Sequence, residues 1–527
     1  MSDAIVSTPS GSEEQNTKEI FPILCSVFLL SSSLLIFELS GATLSTYLQE
    51  DSSLNFSLTI GLFLSATGLG CHLGRWIENN ELQKFIQFQL FYGIIGGLGA
   101  PYAHLVYLYT DDFYIFYCFW VLILGTALGI TLPLALKICR IRLQTSAEDK
   151  NFSQQLVSRI LTFDYLGALF ATLLFPLLLL PYLGLLKTSF FMAIIIILGA
   201  FFNINHFQEE IEDSHNLNFI CIVALFAYTI AFLCSQGIDG FFLDRVYGGT
   251  VLHHLQTPYQ NVVITKRKDD LRLYINGNIQ LSTRDEYRYH ETLVHPVLSN
   301  IPIRNQILVL GGGDGMAVRE ILKYQDVKRI ILVDIDPQLV ELCKNNPILR
   351  KINGNSLRDA KIKFIHMDAF VYVKECRDIF NGIIVDFPDP NNESLAKLYT
   401  LEFFKTLKRI LSPDGLISIQ STSPYYAPRS FWCIGKTLEK ADFETLPYHC
   451  YIPSFGDWGF FLAGLFERKA DMLKLQTGLP LKFLNQGQFQ ALFFFPVDLK
   501  NKYELEENSF YTLSLLKYYL SDWELWD

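Results

Sequence analysis

A chain of 527 residues is long enough for more than one domain, and with half of it hydrophobic and 18% charged it is too apolar for an ordinary soluble enzyme. The formal net charge of −10 argues against a nucleic-acid binder and leaves room for cationic ligands. The 10 cysteines are scattered without a C-x-x-C pair, which suggests neither a metal site nor a disulfide framework.

Residues 1–18 are polar, lack the basic start and cleavage pattern of a signal peptide, and are expected to form a loose tail. Residues 19–238 alternate long apolar runs with short polar breaks. Candidate spans lie near 20–40, 54–77, 85–109, 113–136, 162–182, 187–205 and 217–236. Each approaches the roughly 20 residues that cross a bilayer core, so a polytopic α-helical transmembrane region in the lipid bilayer of a cell (inner) membrane is expected. Basic residues gather at Arg75, Lys84 and from Lys137 to Arg159, while Asp111-Asp112 and Glu209 to Asp213 are acidic. The positive-inside rule then keeps the amino terminus in the cytoplasm and, with seven spans, sends the carboxyl-terminal domain outside. A domain that uses a cytosolic nucleotide needs the opposite. The expectation is a cytoplasmic domain and a miscounted segment, such as the one with Pro176 and Pro181.

Glu38, His104 and Asp164 fall inside these spans, where ionisable groups are costly and mark substrate paths by default. The plainer reading puts Glu38 and Asp164 near span ends, reaching an interface or a helix partner. Gly93, Gly96, Gly97, Gly99, Gly125 and Gly129 read as close helix packing.

The composition changes near residue 239. Short alternating runs with turn signals (Gly248-Gly249, Asn276-Gly277) predict a small β-domain over 239–300, ending in a helical segment. From 301 to 470 strands and helices alternate, which predicts an α/β doubly wound, Rossmann-like domain of the methyltransferase-like kind. Its first unit is ILVLGGGDGMAVREILKYQDVKRIILVDID, residues 307–336. The glycines let backbone approach a ligand at the end of a strand, and an acid about 20 residues further on can hold ribose hydroxyls. No Lys-Ser or Lys-Thr follows, so this is not a P-loop. Alone, the turn serves equally as a ligand loop or as a tight structural turn. Residues 471–527 form an aromatic-rich extension expected to pack on the domain or its neighbour.

The acids are more informative than the glycines. Asp314 follows the first strand, Asp334 and Asp336 end the second, Asp368 ends the third, and Asp386 and Asp389 end the fourth. Strand ends in such a sheet open onto one crevice. Crowded carboxylates there have raised pKa values unless a cation occupies the site. Asp336, just before Pro337, reads as a helix cap.

LGGGDG, VDIDPQLVE, HMDAF and VDFPDP, with Pro258-Tyr259-Gln260 and NGNIQLSTRDEYRYHETLVH upstream, resemble the spermidine/spermine synthases, the polyamine aminopropyltransferases. The likeness covers roughly Tyr259 to Gly464, and the multi-span amino-terminal half resembles the membrane-fused bacterial branch. It implies aminopropyl transfer from decarboxylated S-adenosylmethionine to a polyamine such as putrescine, giving spermidine and methylthioadenosine, with no prosthetic group. By the family pattern Asp386 is the base and Tyr289 orients the amine; Asp389 holds the cationic amine. Asp334 takes the ribose, Asp368 the adenine amino group and Asp314 the amino group of the arm. Gln260, Gln280 and His290 line the donor, with Gly311 and Gly313 bringing backbone to it. A homodimer or higher oligomer is expected.

Two departures stand out: Ile275-Asn276-Gly277 replaces the usual Leu-Asp-Gly, and Phe455 stands where the late Ile-Pro-Thr-Tyr motif has tyrosine, followed by Asp457 as a candidate amine contact. One alternative is a membrane transporter or sensor that uses the domain as a binding module. The other is an S-adenosylmethionine-dependent methyltransferase. Intact S-adenosylmethionine would set its carboxylate beside Asp314, a like-charge pair costing several kcal/mol in a dry site.

Overall fold

A computed structural model describes residues 10–49, 52–143 and 150–526. The chain divides into two compact units, Met1–Gly248 and Gly249–Asp527.

The first unit is helical: α1 (Ser10–Gln49), α2 (Ser52–Gly74), α3 (Glu81–Gly97), α4 (Gly99–Tyr109), α5 (Phe113–Arg142), α6 (Lys150–Leu174), α7 (Leu180–His206), α8 (Ser214–Leu233) and α9 (Ser235–Val246). Helix α1 begins inside the stretch expected to be a loose tail; residues 1–9 of that stretch lie outside the described residues. Among the described residues, five stretches are long and apolar enough to cross a membrane: Glu19–Leu48, Leu54–Gly74, Phe113–Arg142, Gln154–His206 and Ser214–Leu233. The 53-residue fourth stretch contains the two prolines. Pro176 and Pro181 lack the N–H of a regular ladder, and the helix passes them through a π-turn, Phe175–Leu179, before breaking at Gly184 with φ 71°. Helices α3 and α4 meet at Leu98, and each alone is shorter than a span.

Close packing carries this unit. A Cβ on Gly129 would sit 2.1 Å from the Thr67 carbonyl oxygen and 2.9 Å from Gly70 Cα, so α2 and α5 touch backbone to backbone. Polar groups are turned inward: Asn203 Nδ2 donates to Ser26 Oγ (2.7 Å) and to Gln89 Oε1 (3.1 Å). Glu38 and His104 are buried, and Ser31 Oγ donates to the Asp164 backbone carbonyl at 2.8 Å. The acidic segment after α7 lies beside the basic end of α5, where Arg142 meets Glu210 at 2.7 Å. At α9, Phe242 stacks on His104 (4.8 Å between rings) and Arg245 donates to the Tyr109 hydroxyl at 2.8 Å. These contacts hold 239–248 in the helical unit, ahead of the small sheet that was expected to begin at 239.

The second unit opens with an antiparallel sheet of four strands in sequence order, β1 (Thr250–Gln256), β2 (Asn261–Arg267), β3 (Asp270–Ile275) and β4 (Asn278–Ser282). The helix Glu286–Leu298 leads into a seven-stranded sheet built from β5 (Gln306–Gly311), β6 (Arg329–Asp334), β7 (Ile362–His366), β8 (Phe380–Asp386), β9 (Leu411–Gln420), β10 (Glu444–Ile452) and β11 (Gly456–Gly464). Its order is β10-β11-β9-β8-β5-β6-β7. Strands β5 to β9 run parallel, and β11 and β10 are antiparallel additions. The fold is therefore Rossmann-like with a mixed sheet. Buried apolar side chains fill both faces, Val309, Leu332 and Ile384 on one and Leu308, Ile331 and Ile383 on the other. Strand β5 has β6 on one side and β8 on the other; the order reverses there, and a crevice opens at the carboxyl ends of these strands.

Candidate active site

The glycine turn closes the crevice floor. Gly311 pairs with Asp386 across β5 and β8, and its φ of 79° and a carbonyl oxygen 2.2 Å from any Cβ leave no room for a side chain. At Gly313 a Cβ would meet Asp334 Oδ2 at 2.5 Å. Instead the Gly313 N–H donates to that oxygen at 3.0 Å, and the Asp336 N–H donates to Oδ1 at 2.9 Å. Burial pushes the Asp334 carboxyl up to about 6, with the neighbouring acids adding to it.

Asp386 lies at the end of β8 and accepts a hydrogen bond from the Tyr289 hydroxyl at 2.7 Å. Its carboxyl is also raised to about 6, chiefly by desolvation; nearby His290 opposes the rise and Asp314 adds to it. Asp389 accepts from Gln420 Nε2 (2.7 Å), Thr422 Oγ1 (3.0 Å) and the Tyr519 hydroxyl (3.1 Å). Burial lifts it to about 6 against those three donors. Carboxylate crowding was expected from the strand ends. Desolvation is the largest cause at all three acids; like charge ranks below an opposing interaction at Asp334 and Asp386 and does not enter at Asp389.

Part of the negative charge is compensated from within. Burial would lower the His290 pKa, but its hydrogen bond to Glu286 (Nδ1 to Oε2, 3.1 Å) and the charges of Asp314 and Asp386 raise it to about 9. Burial works against Glu286 as well, yet His290 and a two-pronged contact from Arg319 (2.9 and 2.8 Å) hold its carboxyl down to about 2. The pair is almost completely buried at the start of the Glu286–Leu298 helix, and it fixes that helix beside the crevice.

Comparison with known proteins gives the chain its family. Residues 286–472 match the Spermine/spermidine synthase domain. A polyamine aminopropyltransferase of Leptospira interrogans is 38% identical over 94% of this chain and 98% of its own. Polyamine aminopropyltransferase 2 of Ralstonia nicotianae is 38% identical over 95% of this chain and 98% of its own. This chain belongs to the polyamine aminopropyltransferases. The spermidine synthase of Thermotoga maritima, a solved structure, aligns with 47% of this chain and 84% of its own at 25% identity and a TM-score of 0.42.

In this aminopropyltransferase Asp314, Asp336, Asp368 and Gln260 lie at or are tied to the same strand ends, whereas Gln280 and Asp457 are held by other neighbours. Asp314 Oδ1 accepts from the Met316 N–H at 2.8 Å. Asp368 caps the helix Ala369–Glu375 through the Phe370 N–H (2.8 Å) and pairs with Lys397 at 2.5 Å. Asp336 caps the helix Pro337–Asn345, as its place before Pro337 suggests, and its Oδ2 also accepts from Thr257 Oγ1 and Gln260 Nε2, both at 2.8 Å. Gln260 is thereby tied to the end of β6. Gln280, on β4, donates to the Asn278 carbonyl at 3.5 Å. Asp457 is engaged elsewhere: both its oxygens meet His449 Nδ1, at 2.7 and 3.0 Å.

Sequence reading missed Glu286, Arg319, Lys397, Gln420, Thr422, Tyr399 and Tyr519. Gln420 ends β9 and could have been found by extending the strand-end rule one strand further. The others have no such signal. Tyr399 donates to the Pro388 carbonyl at 3.3 Å from a short 3-10 turn, and Tyr519 arrives from 130 residues beyond the acid that it touches.

Proposed function

We propose that the second unit transfers an aminopropyl group from decarboxylated S-adenosylmethionine to a diamine such as putrescine, giving spermidine and methylthioadenosine. The observation that carries this reading is Asp386, held by Tyr289 at 2.7 Å beside the glycine turn. The amine lone pair attacks the carbon next to the sulfonium. The carbon–sulfur bond breaks toward sulfur, which leaves as a neutral thioether, and the amine proton passes to Asp386. A primary amine titrates near ~10, and an ordinary aspartate is about six units too acidic to share its proton. Raising Asp386 from 3.8 to about 6 narrows that gap by roughly 3 kcal/mol, while the group stays largely ionised at neutral pH.

Asp334 would take the ribose hydroxyls with the lone pairs left by Gly313 and Asp336, and Asp368 the adenine amino group. Gln260, Gln280 and His290 would line the donor, and Asp314 would hold the ammonium of the arm. Asp389 would hold the far ammonium of the acceptor. Incubating the protein with decarboxylated donor and putrescine, cadaverine or spermidine tests the reading: methylthioadenosine appears with at least one amine, and its absence with all of them would sink it.

The first unit is proposed to be a multi-pass anchor in the cell membrane, with α1, α2, α3 with α4, α5, α6, α7 and α8 as seven passages. The donor is made in the cytosol, so the catalytic unit is placed on that side. Seven passages then leave the basic residues just after α2 (Arg75) and at the end of α5 (Arg140 and Arg142) on the far face, against the usual bias of basic residues. Partly exposed Cys376 reports on this: a membrane-impermeant thiol reagent should reach it in inverted vesicles only. Labelling from outside intact cells would reverse the orientation.

A further inference from the structure

The aromatic extension beyond residue 472 lies outside the matched domain, yet it reaches the crevice. The helix Ser514–Trp523 is fixed to its neighbour by one buried acid. Asp522 accepts the backbone N–H groups of Arg429 (3.0 Å) and Ser430 (3.2 Å) at the start of the helix Pro428–Lys440, and its other oxygen receives Arg429 Nε at 2.5 Å. A carboxylate supplied from another helix thus satisfies donors that a helix start leaves free. One turn earlier, Tyr519 points its hydroxyl at Asp389 Oδ2, 3.1 Å away. Trp523 makes a further contact from this helix: it stacks on Tyr426 (5.6 Å, 15° between planes), whose ring lies against Gly456, where a Cβ would be 2.6 Å from it. The same helix therefore touches the acid after β8 directly, and through Tyr426 the turn between β10 and β11, which carries Phe455.

We propose that Tyr519 is a positioning residue for the amine acceptor: its phenol fixes Asp389 Oδ2 so that the carboxylate is aimed and ionised to receive the acceptor's distal ammonium. The proposal rests on the reading of Asp389 as the amine-binding acid. Among the three donors to Asp389, Gln420 and Thr422 sit on or just after the strand β9 and come with the sheet. Tyr519 is the one brought by the extension, which gives that extension a part in acceptor selection. Each donor lowers the Asp389 carboxyl against its burial, so losing the phenol moves it further up.

The test is Tyr519→Phe in the full-length protein, which keeps the ring and removes only the hydroxyl. The KM for the amine should rise roughly tenfold, the loss expected for one hydrogen bond to a charged group, while kcat and the KM for the nucleoside donor stay within about twofold. The acidic limb of kcat/KM should also move to higher pH. A purely structural tyrosine would change thermal stability and leave that limb in place. Asp389→Asn is measured alongside. If it raises the acceptor KM and Tyr519→Phe does not, the positioning role is overturned and the reading of Asp389 survives. If Asp389→Asn leaves the acceptor KM unchanged, the reading of Asp389 falls and takes the proposal with it.

Discussion

In the first unit Phe226 is 68% exposed and Asn203 is fully buried; in the second, Phe404 is fully buried. Both units are close-packed, but along α8 of the first Phe219, Ile222, Phe226 and Leu233 are all exposed, whereas the apolar side chains of β5, β6 and β8 in the second are buried. If the first unit is the membrane anchor proposed above, its surroundings are lipid, where hiding phenylalanine gains nothing and helices pack through small residues and inward polar contacts. Gly70, Gly129, Ser26 and Asn203 are used in that way. A unit bathed in water is driven by apolar burial, which frees its strand ends to carry acids. On the proposed membrane placement, the hydrophobic half and the acid-rich half answer two solvents, and the family's matched domain lies in the second.

The sharpest way to break that division is to remove the acid at the end of β8. Asp386→Asn should lower turnover by about 10² to 10⁴, the usual contribution of a general base, with the helical unit unaffected. Methylthioadenosine release at the wild-type rate would take Asp386 out of the mechanism. Next in size is the core of the second unit, where Phe404→Ala should cost about 3–5 kcal/mol in denaturant unfolding, while Phe226→Ala should cost no more than about 0.5 kcal/mol in lipid. Equal losses would mean that the outer face of α8 is covered by protein instead of lipid. Phe226→Asp complements this pair: at mid-helix a carboxylate should cost about 2.5–3.5 kcal/mol of membrane insertion, against about 0.5 kcal/mol or less for Val371→Asp on the exposed face of the second unit. Glycosylation-reporter insertion assays and unfolding curves measure the two.

A further effect is in pH. His290 is raised to about 9 and Glu286 lowered to about 2, so their signs differ. Stability from His290 is fully present below its ordinary value near 6.5 and is lost as pH rises through about 9; that from Glu286 is present above about 4.5 and is lost as pH falls toward about 2. The catalytic unit should therefore be most stable between pH 4.5 and 6.5 as far as this pair is concerned. Glu286→Gln should flatten both slopes in thermal melts across pH. Unchanged slopes would show that the pair is not ionised in the folded protein.

Much of the crevice was legible because parallel topology does the placing: once Gly311, Asp334 and Asp386 are read as strand ends, the sheet brings them together without further information. Asp336 was legible as a cap for a local reason, the proline that follows it. What the sequence could not disclose is who meets these acids from afar. Lys397 on Asp368, Arg319 on Glu286 and Tyr519 on Asp389 join positions with no shared period or motif. Asp457 shows the converse, since its place beside Phe455 invited an amine contact whereas its cross-strand neighbourhood supplies His449. In the helical half, hydropathy marked the runs, but the break at Gly184 and the joint at Leu98 depend on backbone geometry.

The separation between Asp389 and Tyr519 also bears on how the crevice comes into being. Gly313 meets Asp334 across 21 residues, whereas Asp389 meets Tyr519 across 130. Contacts between distant positions form late, because the chain must surrender the freedom of the intervening loop before the contact returns anything. The Tyr519 contact to Asp389 should thus form after the Gly313 contact to Asp334, so the acceptor acid should gain its last hydrogen-bond donor later than the glycine turn closes. Donor binding followed in time against acceptor turnover during folding would reveal that order as a lag between the two.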